Sequence, residues 1–569
     1  MTLQIFMSYS LFKIMLTPRT WVVYILLLGV LTWICFGSLR FHLLDMHDPD
    51  TFRDSAKVSS DFTYFFSDQK EHSSGRLLHE LCMWLAHLVW GEDPAAFHLL
   101  VVALHFVASL LLCQTFLRVG ADSELSMLGG LLFLLNVAHF HAVHWISGLN
   151  YILGFVMSLT AVLAYLRCAG GGHSIWLAAF YGSLTLGAFS HLASLMAWPF
   201  CLFLSWIQGH DLRRALRHLV TFALLLVPTL ALVLRSTTKQ TSTWESLELL
   251  SAIGLWDLVF GIARSILWFA SRLLSRAHWL PFVSHERQSW ELAVGALVVA
   301  GLAWLIWKRV NPVAPWAGWI LLMIAPFALL TEELILSQIM EPSRYLYQAS
   351  AGSSLLLAWT ILAASRHCGP WNRHVFALLL VGVLASSYIH LKKVEALSIY
   401  SSGRHYIATG DLDIGIAQYR RALAHGRDIL PLSDIYYRLC NLLLTTGDEF
   451  KPILDEARAG LPVDVRIQAL YYVVESLSQD PQGRETGRQK MNEALASSQA
   501  LDTEEREAFR SMVATIFHCT ALGLLQHGEV DRMVVALKTA LVWDPQRDIT
   551  RQLLAKVEEA IAAERVSRD

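Results

Sequence analysis

Long apolar runs broken by short polar stretches occupy residues 21–391 of the chain. A membrane-spanning helix needs about 20 mostly apolar residues. Runs of that kind lie near 21–38, 97–117, 124–140, 151–168, 174–190, 192–207, 217–234, 290–307, 314–331, 349–365 and 374–391, and the pattern predicts eleven spans. The stretch 251–283 is also apolar, but Asp257, Arg264, Arg272 and Arg276 interrupt it, so it reads as an interfacial or re-entrant helix. The first run is flanked by Trp21 and Trp33 and has no small-residue cleavage site, so it reads as a retained span.

Beyond the last span the periodicity changes. Around residue 403 the chain reads GRHYIATGDLDIGIAQYRRAL, placing Gly403, Tyr406, Gly410, Gly415, Tyr419 and Ala422 at the spacing of a 34-residue helix-pair repeat. Ala521, Leu524, Gly528, Leu537, Ala540 and Pro545 follow the same spacing. A third stretch, LCNLLLTTGDEF, fits less well, because Pro452 stands where the second helix calls for a small residue. The expected fold is all-α: a polytopic membrane bundle over 1–392, then a soluble tetratricopeptide-like repeat domain, or a plain helical bundle, over 393–569.

Charge supports that division. Of the 569 residues, 45 are Lys or Arg and 47 Asp or Glu, and 54% are apolar. Half of the charges fall in the last third of the chain, which leaves the body at about 12% charged against about 25% in ordinary soluble proteins. The net charge of −2 supplies no basic stripe for nucleic acid. The eight cysteines form no CxxC and suggest neither a zinc site nor a disulfide framework. With the N-terminus cytoplasmic, every inner loop holds a cation (Lys13 and Arg19, Arg118, Arg167, Arg213, Lys308 and Arg309, Arg366 and Arg373). Loops 39–96, 235–289 and 332–348 and the tail then face outward.

Four outward clusters carry candidate chemistry. The first, LLDMHDPDTFRD, brings Asp45, Asp48, Asp50 and Asp54 just after the first span. A carboxylate there suits a general base, two of them (Asp48 and Asp50) suit a divalent cation, and a solvated acidic loop is the plain alternative. The second opens at Arg76 and continues as an amphipathic helix with Leu77, Leu78, Leu81, Trp84, Leu85, Leu88 and Val89 on one face, fit to lie on membrane lipid. The third, NVAHFHAVHWISGLN, holds His139, His141 and His144. If extended, it turns His139 and His141 to one side, as for a shared ligand, although capping histidines are the commoner use of such a pair. The fourth holds Glu332, Glu333, Glu341, Arg344, Tyr345 and Tyr347. An arginine among tyrosines suits a phosphate and also an aromatic belt.

The order of these clusters resembles the membrane glycosyltransferases of the GT-C class, in particular the protein O-mannosyltransferase-like branch whose multi-span body is followed by tetratricopeptide repeats. Gly75-Arg76-Leu77 stands for its YRP-like turn. The run from His139 to Gly148 stands for its HPxHxExVxWIxGRxD-like stretch, and Ser343 to Ser350 for its ERYLYLPS-like stretch. The departures are specific. Asp45 and Asp48 are not adjacent, His141 replaces a Glu, Leu149 and Tyr151 replace an Arg and an Asp, and Ser343 replaces a Glu.

The resemblance implies a polyprenyl-phosphate-linked sugar as donor and inverting transfer to a protein or glycan hydroxyl on the periplasmic or lumenal side, with a bacterial inner membrane favoured. It implies Asp48 or Asp45 as base. Arg76 and Arg344 would face the phosphate, His139 and His141 the sugar or donor, and Tyr345 and Tyr347 the lipid-phosphate pocket. The repeat domain would hold a protein acceptor or partner. The competing expectation is a catalytically weakened relative that presents the repeats as a membrane-anchored assembly scaffold. A transporter fits less well, since no matching pair of broken helices stands in two halves of the body.

Overall fold

The structure is a computed structural model that describes residues 17–44, 48–66, 76–169, 174–209, 255–275, 278, 289–329, 343–477, 480–498 and 503–568. Asp45, Gly75, Glu332, Glu333, Glu341 and the span read at 217–234 lie outside them. The regular elements among the described residues are all helices, without a strand. The chain divides into two compact units, Met1–Ser402 and Gly403–Asp569. The segment 392–402 belongs to the first. Lys392 Nζ donates to Cys35 O and Ser38 Oγ, and Ser402 Oγ donates to Leu44 O.

The first unit is a membrane body. Its helix α1 (Pro18–Phe36) starts where the Thr17 hydroxyl accepts from Thr20 N and Pro18 supplies a preset φ. One face of α1 is buried, at Tyr24, Leu28 and Phe36, while Val22, Val23, Leu26 and Val30 are exposed, as lipid contact demands. Next come α2 (Asp48–Ser60), α3 (Leu77–Trp90) and α4 (Pro94–Val119). Helix α4 is capped by Asp93 on Ala95 N and stopped by Gly120 at φ 117°, and its 26 residues span about 39 Å at ~1.5 Å each. That length is enough to cross a bilayer core. Helix α3 exposes Leu85, Leu88 and Val89 and buries His79, Met83 and Ala86, as an interfacial amphipathic helix should.

The span read at 124–140 is broken. Helix α5 (Ser123–Leu134) and the segment Val137–His144, which ends in α6 (Phe140–His144), meet at 44°. At the break Asn136 accepts from Ala138 N through its side chain and donates to Ser354 Oγ, replacing helix bonds that the bend removes. Helix α1 fits beside α5 because Gly130 lacks a side chain. An added Cβ there would sit 2.6 Å from the Tyr24 hydroxyl, which donates to Met127 O. A 3-10 turn (Ile146–Gly148) then leads into α7 (Leu149–Ala169), α8 (Ser174–Ala188) and α9 (Ala197–Gln208).

After them come α10 (Leu255–Ser275), α11 (Ser289–Trp307), α12 (Ala314–Ile324), α13 (Ser350–His367) and α14 (Asn372–Thr409). Among the described residues seven helices are long and apolar enough to cross a membrane, or eight with the bent pair counted. One of them, Glu505–Gln526, belongs to the second unit. The runs at 174–190, 192–207 and 314–331 form shorter helices, and serines at 350, 353, 354 and 365 dilute α13, so among the described residues fewer than eleven spans meet the length and hydropathy of a crossing.

Helix α10 lies in the stretch 251–283 read as interfacial or re-entrant, and Trp256–Ser275 is by length and composition also able to cross. The sequence counted Arg272 as an interruption. In the fold Arg272 is fully buried and paired with Glu291 of α11, with Nε to Oε1 at 3.0 Å and Nη2 to Oε2 at 3.1 Å. The Trp268 indole N–H also donates to Glu291, at 3.2 Å. A buried ion pair of this kind is compatible with membrane depth.

The second unit is a run of helix hairpins. The end of α14 packs on α15 (Leu412–Gly426) across Gly410, which turns at φ 93°. An added Cβ at Gly403 would lie 2.7 Å from the Tyr419 ring, and one at Gly415 would lie 2.4 Å from Ile407, so the spaced glycines set how closely these helices meet. Helices α16 (Leu432–Thr446) and α17 (Lys451–Gly460) form a hairpin over Gly447. Pro452 is harmless here: it occupies the first turn of α17, where no intrahelical N–H is needed. Next are α18 (Val465–Ser476), α19 (Pro481–Ser498), α20 (Thr503–Gln526), α21 (Val530–Trp543) and α22 (Asp548–Arg568). Helices α20 and α21 pair across Gly528, as the second repeat match predicts.

Candidate functional site

The site grows from the segment that follows the broken span. His141 N donates to Ser343 Oγ at 3.2 Å, which draws the 3-10 turn Ser343–Leu346 against α6. The glycine of the Ile146–Gly148 turn is required, because an added Cβ would stand 2.7 Å from Ala142 O. This fold-back aims Ser147 at the first residue of α2. Asp48 Oδ1 accepts from Ser147 N at 2.9 Å and from Ser147 Oγ at 2.6 Å, and Asp48 is fully buried. Its carboxylate is therefore fixed. The other acids of the cluster turn elsewhere: Asp50 pairs with Arg53, and Asp54 accepts from the Tyr64 hydroxyl. No group of three or more His, Cys, Asp or Glu among the described residues is arranged to hold a metal ion.

Two residues before Ser147, the Trp145 ring lies between a histidine and an arginine. His141 stacks on it at 5.1 Å and 18° between planes, and the Arg344 guanidinium lies 5.4 Å from it. Arg344 Nη2 also donates to the Tyr345 hydroxyl at 3.0 Å, and the Tyr345 ring stacks on Phe327 at 4.8 Å. Tyr151, in the first turn of α7, sits 4.4 Å from the His191 ring and 6.1 Å from Tyr345.

Arg76 stands at the start of α3, which is tied down where Leu78 N donates to Phe189 O. Burial pulls the Arg76 guanidinium below its ordinary pKa, Arg344 pulls it further, and Tyr151, Tyr345 and Glu80 oppose them. Burial likewise pushes His191 well below the usual histidine value, with Arg76 and Arg344 adding repulsion. The two guanidiniums thus influence one another and the same tyrosines and neutral imidazole. Such a setting attracts an anion.

His139 and Tyr347 enter a different set of contacts. His139 Nδ1 lies 2.7 Å from Ser350 Oγ, its ring 4.8 Å from Tyr347 and 5.3 Å from His105. The Tyr347 hydroxyl meets His105 Nδ1 at 2.8 Å, and His105 Nε2 meets Leu134 O at 3.0 Å. The extended HxH geometry does not occur, because Val137–His139 is a 3-10 turn and Phe140–His144 a helix. Residues two apart on a helix face nearly opposite ways. His141 accordingly goes to Trp145 and Arg344, and His139 to the His105–Tyr347 cluster. Sequence reasoning missed Trp145, Ser147, Tyr151 and His191 as contributors. The signal for His191 was a lone ring in a short loop without lysine or arginine.

A buried acid and two arginines thus lie on loops beside the ends of the apolar helices. Direct comparison finds the likeness that the motif order suggests. Over 112 residues the chain is 32% identical to the Protein O-mannosyl-transferase TMTC3 of Homo sapiens and 33% identical to the Protein O-mannosyl-transferase TMTC3 of Mus musculus. The matched stretch is 19% of this chain and spans only 12% of the length of those relatives. No family profile matches the chain, and no solved structure does.

Proposed function

We propose that the protein is a membrane glycosyltransferase that takes its sugar from a polyprenyl-phosphate carrier on the periplasmic or lumenal side and passes it, with inversion, to a protein or glycan hydroxyl. The carrying observation is that Arg344, held against Trp145 and Tyr345, stands close enough to the buried Arg76 to disfavour its charge. A phosphate relieves that repulsion and is itself stabilised.

In this reading Asp48, fixed by Ser147, takes the proton of the acceptor hydroxyl. The acceptor oxygen bonds to the anomeric carbon as the carbon–oxygen bond to phosphate breaks, and the electron pair leaves on prenyl phosphate. Arg76 and Arg344 gain most as that charge develops, which is where fixed cations accelerate a reaction. Asp45 remains the alternative base, and His139, His141, Tyr345 and Tyr347 remain donor-side candidates. The second unit, read as tetratricopeptide-like repeats, would hold a protein acceptor or partner. The likeness to proteins named O-mannosyl-transferases supports a mannose-like hexose.

The test is transfer of labelled hexose from prenyl-phosphate hexose by the full chain in proteoliposomes. Arg344→Gln is expected to cut turnover by about 10²–10³-fold, and Asp48→Asn by about 10²–10⁴-fold, at unchanged expression. Full turnover in both Asp48→Asn and Asp45→Asn overturns the base. A wild-type chain that neither binds nor uses the carrier overturns the reading and leaves the membrane-anchored scaffold in its place.

A further inference from the structure

Beside the arginine pair, the fold buries two side-chain amides. Asn150, in the first turn of α7, is fully buried, and neither its Oδ1 nor its Nδ2 has a hydrogen-bond partner among the described residues. Gln348, just before α13, is 2% exposed, and its Oε1 and Nε2 are equally unpartnered among those residues. A buried unpaired polar group costs ~1–3 kcal/mol, so two whole amides left this way point to a ligand that completes them.

The two amides serve one place. Asn150 and Gly154 are one turn apart on the same face of α7. A Cβ built on Gly154 would lie 3.6 Å from Gln348 Nε2 and 3.2 Å from His191 Cβ, so Gln348 and His191 both close on that face. The backbone around them is pinned. Trp319 Nε1 donates to Gln348 O at 2.7 Å, and Ser190 Oγ donates to Asn150 O at 2.8 Å. Tyr151 follows Asn150 in the chain and touches His191, whose electrostatic environment includes both arginines.

We propose that Asn150 and Gln348 form a neutral subsite that binds the hydroxyls of a glycosyl group whose phosphate is held by Arg76 and Arg344. The subsite rests on the donor reading above. Its chemistry is specific: each amide offers two N–H donors and a carbonyl acceptor, and a sugar hydroxyl both donates and accepts. No charge stands on either side chain, so the pair reads a polyol and not a second anion. The Tyr151 and His191 rings add flat apolar faces against which a sugar ring can lie.

The experiment measures the affinity of the full chain in nanodiscs for prenyl phosphate, prenyl-phosphate hexose and soluble hexose 1-phosphate. Asn150→Leu and Gln348→Met keep the volume and remove the amide. Each is expected to weaken prenyl-phosphate hexose about tenfold and to leave sugar-free prenyl phosphate within about twofold, which also certifies the fold. Arg344→Gln weakens both carriers. Amide variants that bind the sugar-bearing carrier as tightly as the wild type, or that weaken both carriers equally, overturn the subsite while the arginine result keeps the donor reading. A wild-type chain that binds no prenyl phosphate overturns the donor reading instead. Hexose 1-phosphate bound with the same amide dependence keeps the subsite but assigns it to a soluble donor.

Discussion

Removing one member of the Arg272–Glu291 pair should destabilise the membrane body far more than removing both. The two side chains are fully buried, joined by two contacts near 3 Å, and braced by the Trp268 indole N–H. Arg272→Met leaves the Glu291 carboxylate without its guanidinium partner in a low-dielectric interior. Stranding one buried charge costs about 3–5 kcal/mol. Changing the pair together, Arg272→Met with Glu291→Leu, removes both desolvation penalties and should fall between neutral and about 4 kcal/mol stabilising. The double-mutant coupling is therefore about 6 kcal/mol or more, above the ~0.5–3 kcal/mol of ordinary neighbours. Unfolding of the purified chain in mixed micelles, followed by tryptophan fluorescence, reads each variant, and Trp268 lies at the pair itself. Single variants within about 1 kcal/mol of the wild type, or a double variant worse than either single, would refute the argument.

Four further outcomes follow. Ser147→Ala should lower kcat more than KM, because it removes the hydroxyl bond and keeps only the backbone bond from residue 147 to Asp48, without touching substrate, and Ser147→Thr should restore part of the loss. Gly130→Leu should disrupt the seat of α1 on α5 and cost about 1–3 kcal/mol in the same unfolding assay, since even a Cβ there meets the Tyr24 hydroxyl. Gly523→Val should unfold the second unit, read by loss of its protection from hydrogen exchange, because an added Cβ would sit 1.9 Å from Leu444 O. His518, buried against Thr550, has its pKa lowered by desolvation and by Arg547. Its contribution is full above about pH 6.5 and is lost on acidification as the unfolded chain takes up the proton. His518→Phe should flatten the fall in unfolding midpoint between pH 7 and pH 5, and an unchanged slope would exclude this histidine as the cause.

Elements that depend on local periodicity were legible in the sequence. Helices α1, α4, α7 and α11 fall where apolar runs are long, and the hairpins across Gly410 and Gly528 fall where glycines and aromatics share a spacing. Features that depend on distant partners were not. Arg272 read as a break in a span because its counter-charge lies in another helix. The HxH stretch read as extended because alternation alone cannot register that Asn136 caps the next segment through its side chain. Pro452 read as a fault because its place in the first turn was not visible. At the site, Arg76, Arg344 and Tyr345 were legible as residue types suited to phosphate. Ser147, Tyr151 and His191 were not, since each matters through a fold-back or a loop contact that no local pattern encodes.

The hydrogen bonds around His139 also settle where its proton resides. Ser350 donates its hydroxyl proton to Tyr347 O at 2.7 Å, so its oxygen can only accept from the imidazole. In neutral His139 the proton therefore belongs to Nδ1, and Nε2 carries a lone pair that meets no donor among the described residues. His105 has the opposite tautomer. Its Nε2–H donates to the Leu134 carbonyl beside the helix break, and its Nδ1 accepts from Tyr347. The break in the span thus imposes a polarity on the His105–Tyr347–His139 array, and the unprotonated Nε2 of His139 is a fixed acceptor for any hydroxyl that reaches it.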